Sequence, residues 1–149
     1  MTPVNNQKVT EYAEQVIETV SSWPEITTGN GRFNSTTFQI EGRDIGHVHS
    51  WGPVDIGYPQ PLRNQLVAEK HTEKHHVVPD SNATTFHIEA ADDVEQAIVL
   101  LRLSYLYQIL VLQKRGDGDA ELTAIDVNDE LAGMEMSEDI RTIFEDIRS

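Results

Sequence analysis

A stretch that is apolar almost all round, residues 94–112, most constrains the fold of this chain. Fourteen of its 19 residues are apolar, and a turn signal at residues 116–119 follows it. Arg102 lies inside the stretch and argues against a membrane span, because an arginine at mid-bilayer costs about 2.5–3.5 kcal/mol. We therefore predict a helix over about residues 92–114 that is buried between a sheet and a second layer.

Shorter periodic patterns predict the remaining helices. Apolar residues at helical spacing predict an amphipathic helix over about residues 6–22 and a short one near residues 62–67. Ser137 can cap a last helix, since a serine oxygen accepts from the backbone N–H groups of a first turn.

Alternating apolar and polar residues predict strands, and these lie near residues 37–40, 44–49 and 84–89. Residues 51–61 are punctuated by Gly and Pro and read as a loop. The order of elements favours an α+β fold, with an antiparallel sheet of about three to four strands and helices packed on one face.

The charge distribution divides the chain in two. Residues 1–115 carry 14 acidic and 9 basic side chains, whereas residues 116–149 carry 11 and 2. We predict a domain over residues 1–115 and an acidic C-terminal extension over residues 116–149 that ends in a short helix. That helix is expected to dock without building the main core, through its apolar stripe of Ile140, Ile143, Phe144 and Ile147.

The net charge of −14 excludes several classes of partner. Nucleic-acid binding and charge-driven membrane docking both need a basic surface. The chain has no Cys and only four Lys, and no secretory signal begins it, so we expect a cytoplasmic protein of a halophilic archaeon. An acidic interaction tail on a mesophilic protein is the rival interpretation, and it stays open.

Histidines are the main candidates for chemistry. In the predicted strands, His47, His49 and His87 all point away from the core face, because alternate strand residues share a face. Further candidates come from the adjoining loops: Asp55, His75, His76, Asp80 and Ser81. Structural histidines, a metal-free acid–base site, and a metal site using His47, His49 and His76 all remain open.

Several short motifs resemble one known family. They are Gly46-His47-Val48-His49, Asp55, Pro61-Leu62-Arg63 with Leu66-Val67, His75-His76-Val77-Val78-Pro79-Asp80-Ser81 and Leu100-Leu101-Arg102-Leu103-Ser104-Tyr105. Over about residues 10–107 the chain resembles the luciferase-domain family, which comprises small bacterial and archaeal proteins of largely unknown function. The fungal luciferases share the domain and oxidise a hydroxypyrone luciferin with molecular oxygen. Where the family usually has Gly-Trp, this chain has Asn82-Ala83, so an aromatic side chain is missing there and light emission is not expected.

The resemblance implies a His-lined pocket for a small organic ligand and, if the chain is an enzyme, cofactor-free oxygenation or proton abstraction. The implied catalytic residues are His49, His75 or His76 as base, Asp55 or Asp80 to orient it, and Arg102 to stabilise an enolate. The implied ligand-binding residues are His47, Arg63, Ser81, His87 and Tyr105. No metal or other cofactor is expected.

A second interpretation is a non-catalytic binding or assembly protein. The long apolar helix and the acidic extension would then meet a partner, a second copy of the chain included, and the histidines would hold the fold. A third interpretation is a metal-binding protein.

Overall fold

The computed structural model describes residues 6–75, 77–116 and 120–148. In these residues six strands form one antiparallel sheet with the neighbour order β1-β2-β3-β4-β6-β5. The strands are β1 (Ile26–Asn30), β2 (Ser35–Ile40), β3 (Arg43–His49), β4 (Pro53–Gly57), β5 (Glu73–Lys74) and β6 (Ala83–His87). The predicted α+β class is confirmed, and the predicted number of strands is too low.

The helices cover the core face of this sheet and extend beyond it. They are α1 (Asn6–Ser21), α2 (Gln60–Ala68), α3 (Asp92–Arg115), α4 (Ala120–Thr123), α5 (Val127–Gly133) and α6 (Glu138–Arg148). The predicted ends of α1 and α3 agree with the structure to within about a residue. Ser137 caps α6 as predicted, since its Oγ accepts from the backbone N–H of Ile140 at 3.2 Å.

Helix α3 is the centre of the core. Within the described residues it is the one helix long and apolar enough to span a membrane, yet 56% of its most apolar window is buried inside the fold. It packs against α1 and against strands β3 and β4. Gly46 of β3 permits the close approach, because a Cβ there would lie 3.0 Å from Leu101 Cδ2. This confirms that the stretch is a buried helix.

The C-terminal helices contribute to the same core. Ile140 and Phe144 of α6 are fully buried, and the core also contains Leu122, Val127 and Leu131. The expectation that the last helix docks without building the main core is therefore wrong. The reason is that its apolar stripe meets α2 and α3, whose outer faces would otherwise be exposed to water.

Strands β1, β4 and β5 were not predicted. The edge strand β1 is largely exposed, so it shows no alternation of apolar and polar residues. Strand β4 lies inside the segment 51–61 that was predicted to be a loop. Its proline, Pro53, is compatible with a strand because it is the first residue, where the loss of a backbone N–H is tolerated. The alternation Val54-Asp55-Ile56 marks this strand, with the two apolar side chains in the core.

Candidate functional site

The polar face of the sheet holds a cluster of two histidines and one carboxylate, in which His49 and Asp55 are buried and His47 is partly exposed. The antiparallel register of β3 and β4 pairs His47 with Asp55, and His49 lies two residues further along β3 on the same face. Asp55 Oδ2 lies 3.0 Å from His47 Nε2 and 3.0 Å from His49 Nε2. The two imidazole rings meet edge to face, with their centroids 5.1 Å apart.

The other oxygen of Asp55 is held from the opposite side. Thr85 of β6 donates its hydroxyl to Asp55 Oδ1 at 2.6 Å, since the register pairs these two residues. His75 Nε2, from the segment after β5, lies 3.4 Å from the same oxygen. Among the described residues, three imidazoles thus converge on one carboxyl group that is only 4% exposed.

These contacts set the charge of Asp55. Burial by itself raises the pKa of the Asp55 carboxyl, whereas hydrogen bonds from His47, Thr85 and His49 lower it. The net pKa lies well below its ordinary value of 3.8. Asp55 is therefore an acceptor-only carboxylate at neutral pH.

The tautomer of His75 follows from its backbone partners. The N–H groups of Val77 and Val78 both donate to His75 Nδ1, each at 3.1 Å. Because this nitrogen accepts, the hydrogen of the neutral ring is on Nε2, which faces Asp55. His75 therefore donates towards the carboxylate and orients it.

A strained turn between β1 and β2 completes the site. Phe33 and Asn34 both have a φ of 56°, a left-handed conformation that bulky side chains rarely adopt. The turn places the Phe33 carbonyl oxygen 3.1 Å from His49 Nδ1, and the same oxygen accepts from Trp51 Nε1 at 3.2 Å. Backbone strain of this kind concentrates at functional sites.

A cavity of about 370 Å³ lies over the cluster. Its floor is polar and comprises His47, His49, Asp55 and His75, whereas its walls include Phe33, Trp51 and Val77. Phe33 is 77% exposed, Trp51 55% and Val77 72%, which makes the mouth of the cavity aromatic and apolar. The lining also includes Gly31, Arg32, Ser35 and Thr37.

Two other predicted site residues in the segment after β5, Asp80 and Ser81, do not line this cavity. A third, His76, lies outside the described residues. Asp80 is exposed, and Ser81 bonds within its own turn, donating to the Val78 carbonyl at 2.8 Å. Arg63 of α2 donates to the Pro79 carbonyl and so anchors this segment.

His87 occupies a neighbouring position on the polar face. It pairs with Pro53 across the sheet and lines a second cavity of about 220 Å³. Trp51 lines both cavities.

Arg102 and Tyr105, predicted as catalytic and ligand-binding residues, are not brought to the cluster. Arg102 pairs with Glu130 and lies over the rings of Trp23 and Tyr105. The Tyr105 hydroxyl donates to the Pro24 carbonyl at 2.8 Å. The physical reason is that α3 packs on the core face of the sheet, opposite the histidines.

The residues at the site that were missed from the sequence include Thr85, Trp51 and Phe33, together with the cavity-lining Gly31, Arg32, Ser35 and Thr37. Thr85 could have been found, because it shares the outward alternation of His87 in β6. Trp51 and Phe33 lie in turns, where no periodic pattern fixes the direction of a side chain.

Comparison with known proteins gives one match, to a family model. Residues 42–104 match the family described as the luciferase domain, a segment that runs from the turn before β3 into the first half of α3. It contains the whole Asp55 cluster, whereas Phe33 precedes it. Neither the curated proteins nor the solved structures contain a match to the chain. The match confirms the resemblance seen in the sequence motifs: residues 42–104 of the chain are similar to the luciferase domain.

Proposed function

We propose that the luciferase domain binds a small planar organic molecule in the cavity, with an acidic hydroxyl group of that molecule facing the Asp55 cluster. The observation that carries this proposal is the contrast within one cavity between a buried His–Asp floor and an aromatic, apolar mouth. Small-molecule sites have this composition, with apolar walls and a few convergent polar groups.

The size of the cavity limits the ligand. A volume of about 370 Å³ lies near the lower end of the range of small-molecule sites. Phe33 and Trp51 are large exposed aromatic residues of the kind that stacks on a flat ring. They supply aromatic surface close to the cluster, although residues 82–83 lack the aromatic side chain usual in the family.

His47 is the residue that meets the polar end of the ligand. Its side chain is 38% exposed, compared with 6% for His49 and 4% for Asp55. It therefore presents its ring to the cavity while Asp55 holds that ring in place. By analogy with the fungal luciferases, the reaction class that fits is oxidation of an enolisable ring by molecular oxygen.

The test uses Trp51 as the reporter and 4-hydroxy-6-methyl-2-pyrone as the probe. The chain has two tryptophans, so Trp23→Phe leaves Trp51 as the sole source of indole emission. We expect a saturable change of emission in this protein. Trp51→Phe, which retains Trp23, corrects for light absorbed by the pyrone and should show no saturable change.

A second comparison tests the polar floor. We expect His47→Ala to weaken binding of the pyrone by about 10-fold or more, the usual range for a hydrogen bond to a charged group. His71→Ala is the matched control, because His71 contacts Glu69 and does not line the cavity. Absence of a saturable signal, or equal affinities in the two variants, would contradict the proposal.

The structure gives less support to a role for α3 in assembly. Most of its apolar side chains are buried against the sheet, α1 and the C-terminal helices of the same chain. The exposed aromatic and apolar residues at the mouth of the cavity offer a partner more apolar surface, and pyrone binding there would then compete with the partner.

A further inference from the structure

We propose that His47, His49 and Asp55 bind a divalent transition-metal ion at the floor of the cavity. This inference goes beyond the ligand-binding proposal and does not depend on it, because the three proposed metal ligands are all protein atoms. It also departs from the sequence-based expectation that the chain has no cofactor.

The first argument is the spacing of the donor atoms. One ligand atom from each of the three residues lies within 4.8 Å of the others. Both imidazole Nε2 atoms lie 3.0 Å from Asp55 Oδ2. Metal–ligand bonds of about 2.1 Å, set at right angles, place neighbouring ligand atoms about 3 Å apart. A small movement of the side chains would thus admit an ion between them.

The second argument is the hydrogen bonding of His49. The Phe33 carbonyl oxygen can only accept, so the contact at His49 Nδ1 requires a hydrogen on that nitrogen. In the neutral ring the lone pair is then on Nε2, and it faces the carboxylate of Asp55. Two electron-rich atoms at 3.0 Å need a cation between them, which is either a proton on Nε2, giving the hydrogen bond to Asp55, or a metal ion in its place. Metal-binding histidines commonly donate their other ring N–H to a backbone carbonyl in this way.

The third argument is the support around Asp55. Thr85 and His75 hold Oδ1 and leave Oδ2 facing the two imidazoles. Such outer partners fix the orientation of a metal-binding carboxylate. His75 is a supporting residue in this arrangement, because its Nδ1 accepts two backbone hydrogens and its Nε2 carries one.

The donor set also indicates the class of metal. Two imidazoles and one carboxylate suit Zn²⁺, Fe²⁺, Co²⁺ or Ni²⁺ better than Mg²⁺ or Ca²⁺, which prefer oxygen ligands. The remaining coordination positions would face the cavity. A water molecule or an oxygen atom of an organic ligand would occupy them.

The experiment measures metal binding directly. Chelator-treated protein is titrated with Co²⁺ while the d–d absorption is recorded, and with Zn²⁺ in a calorimeter. The titrations are run in about 1 M NaCl, because salt screens diffuse attraction of cations to a chain of charge −14. We expect one ion per chain and a Co²⁺ spectrum typical of nitrogen and oxygen ligands.

Variants separate ligands from supporting residues. His47→Ala and Asp55→Asn should each weaken binding by more than about 100-fold, whereas His75→Ala should weaken it by about 10-fold. His71→Ala should bind as the unchanged protein does. Circular dichroism establishes that each variant is folded. If His47→Ala unfolds, the metal affinity of Asp55→Asn, which keeps the shape of the side chain, tests the proposal on its own.

Two results would overturn the proposal. The first is that neither Co²⁺ nor Zn²⁺ binds with a stoichiometry of one ion per chain. The second is equal metal affinity in Asp55→Asn and the unchanged protein. In either case, pyrone binding to the metal-free protein would still support the ligand-binding proposal. The experiments therefore distinguish failure of the metal proposal from failure of the ligand-binding proposal.

Discussion

Arg102 of α3 and Glu130 of α5 form a two-point ion pair, in which Arg102 Nε donates to Glu130 Oε2 at 2.8 Å and Nη2 donates to Oε1. The guanidinium also lies 4.9 Å from the ring centroid of Trp23 and 4.7 Å from that of Tyr105. The pair therefore joins the C-terminal segment to the central helix, on the side of the sheet remote from the cavity.

This arrangement predicts that Arg102→Ala destabilises the protein without weakening pyrone binding. The loss should be about 2 kcal/mol, since an ion pair and two cation–π contacts disappear together. Arg141→Ala, an exposed change on α6, should stay within about 0.5 kcal/mol. Urea unfolding measures both. An Arg102→Ala protein of full stability that had lost pyrone binding would assign the arginine to the ligand instead.

The burial of Phe144 predicts a large effect of truncating it. Phe144→Ala should lower the free energy of unfolding by about 3–4 kcal/mol, because the side chain is fully buried among α6, α2 and α3. Ile143→Ala, at a half-buried position next to it, should cost about 1 kcal/mol. Similar values for the two variants in urea unfolding would show that α6 does not complete the core.

The contacts of Glu69 predict that the junction between α2 and α6 contributes to the stability of the fold in a pH-dependent way. Hydrogen bonds from Ser137 and Gln65 lower the pKa of the Glu69 carboxyl below its ordinary value of 4.5, against the opposing effect of burial. A carboxyl whose pKa is lower in the folded chain than in the unfolded chain stabilises the fold at pH values above its unfolded-state pKa. This contribution is lost as the pH falls through the folded-state pKa.

Glu69→Gln should therefore reduce the loss of stability between about pH 6 and pH 3, by less than about 1 kcal/mol for a group near the surface. Glu73→Gln, an exposed change at the start of β5, is the control. Denaturant unfolding at each pH measures the effect. Identical pH profiles for Glu69→Gln and the unchanged protein would contradict this account.

Gly52, just before β4, and Gly57, the last residue of β4, predict opposite tolerance of a methyl group. Gly52 has a φ of 123°, and a Cβ there would lie 2.8 Å from the Ile88 carbonyl oxygen. Gly52→Ala should therefore cost about 2–3 kcal/mol. At Gly57 a Cβ would meet no atom within 4 Å, so Gly57→Ala should stay within about 0.5 kcal/mol. Thermal melting compares them, and equal melting temperatures would contradict the packing given for Gly52.

The acidic composition predicts a response to salt. At a net charge of −14 the chain repels itself at low ionic strength, so its melting temperature should rise from about 0.1 M to about 2 M KCl. A flat melting temperature across this series would remove the argument for a halophilic source.

The sequence was sufficient where one pattern dominates. The apolar stretch predicted α3 with its ends, and strand alternation predicted that His47 and His49 share the polar face. Asp55 was named as a candidate, although the strand that positions it was read as a loop. Its neighbours Val54 and Ile56 carried the alternation, but Gly and Pro on either side obscured it.

The sequence was insufficient where direction depends on packing. A helix that is apolar almost all round has no polar face to orient it, so the side of α3 that carries Arg102 could not be assigned. The left-handed conformation of Phe33 could not be predicted either, because this conformation is normally adopted by Gly or Asn and rarely by Phe.

The carbonyl oxygen of Phe33, which both His49 Nδ1 and Trp51 Nε1 contact, belongs to the main chain. A mutation of the side chain at position 33 leaves that oxygen in place as long as the backbone keeps its path. A substitution at residue 33 can therefore change the mouth of the proposed ligand site, while the backbone contact that orients the His49 ring stays constant. Under the proposed function, the choice of ligand and the orientation of His49 would thus depend on different parts of one residue, its side chain and its backbone.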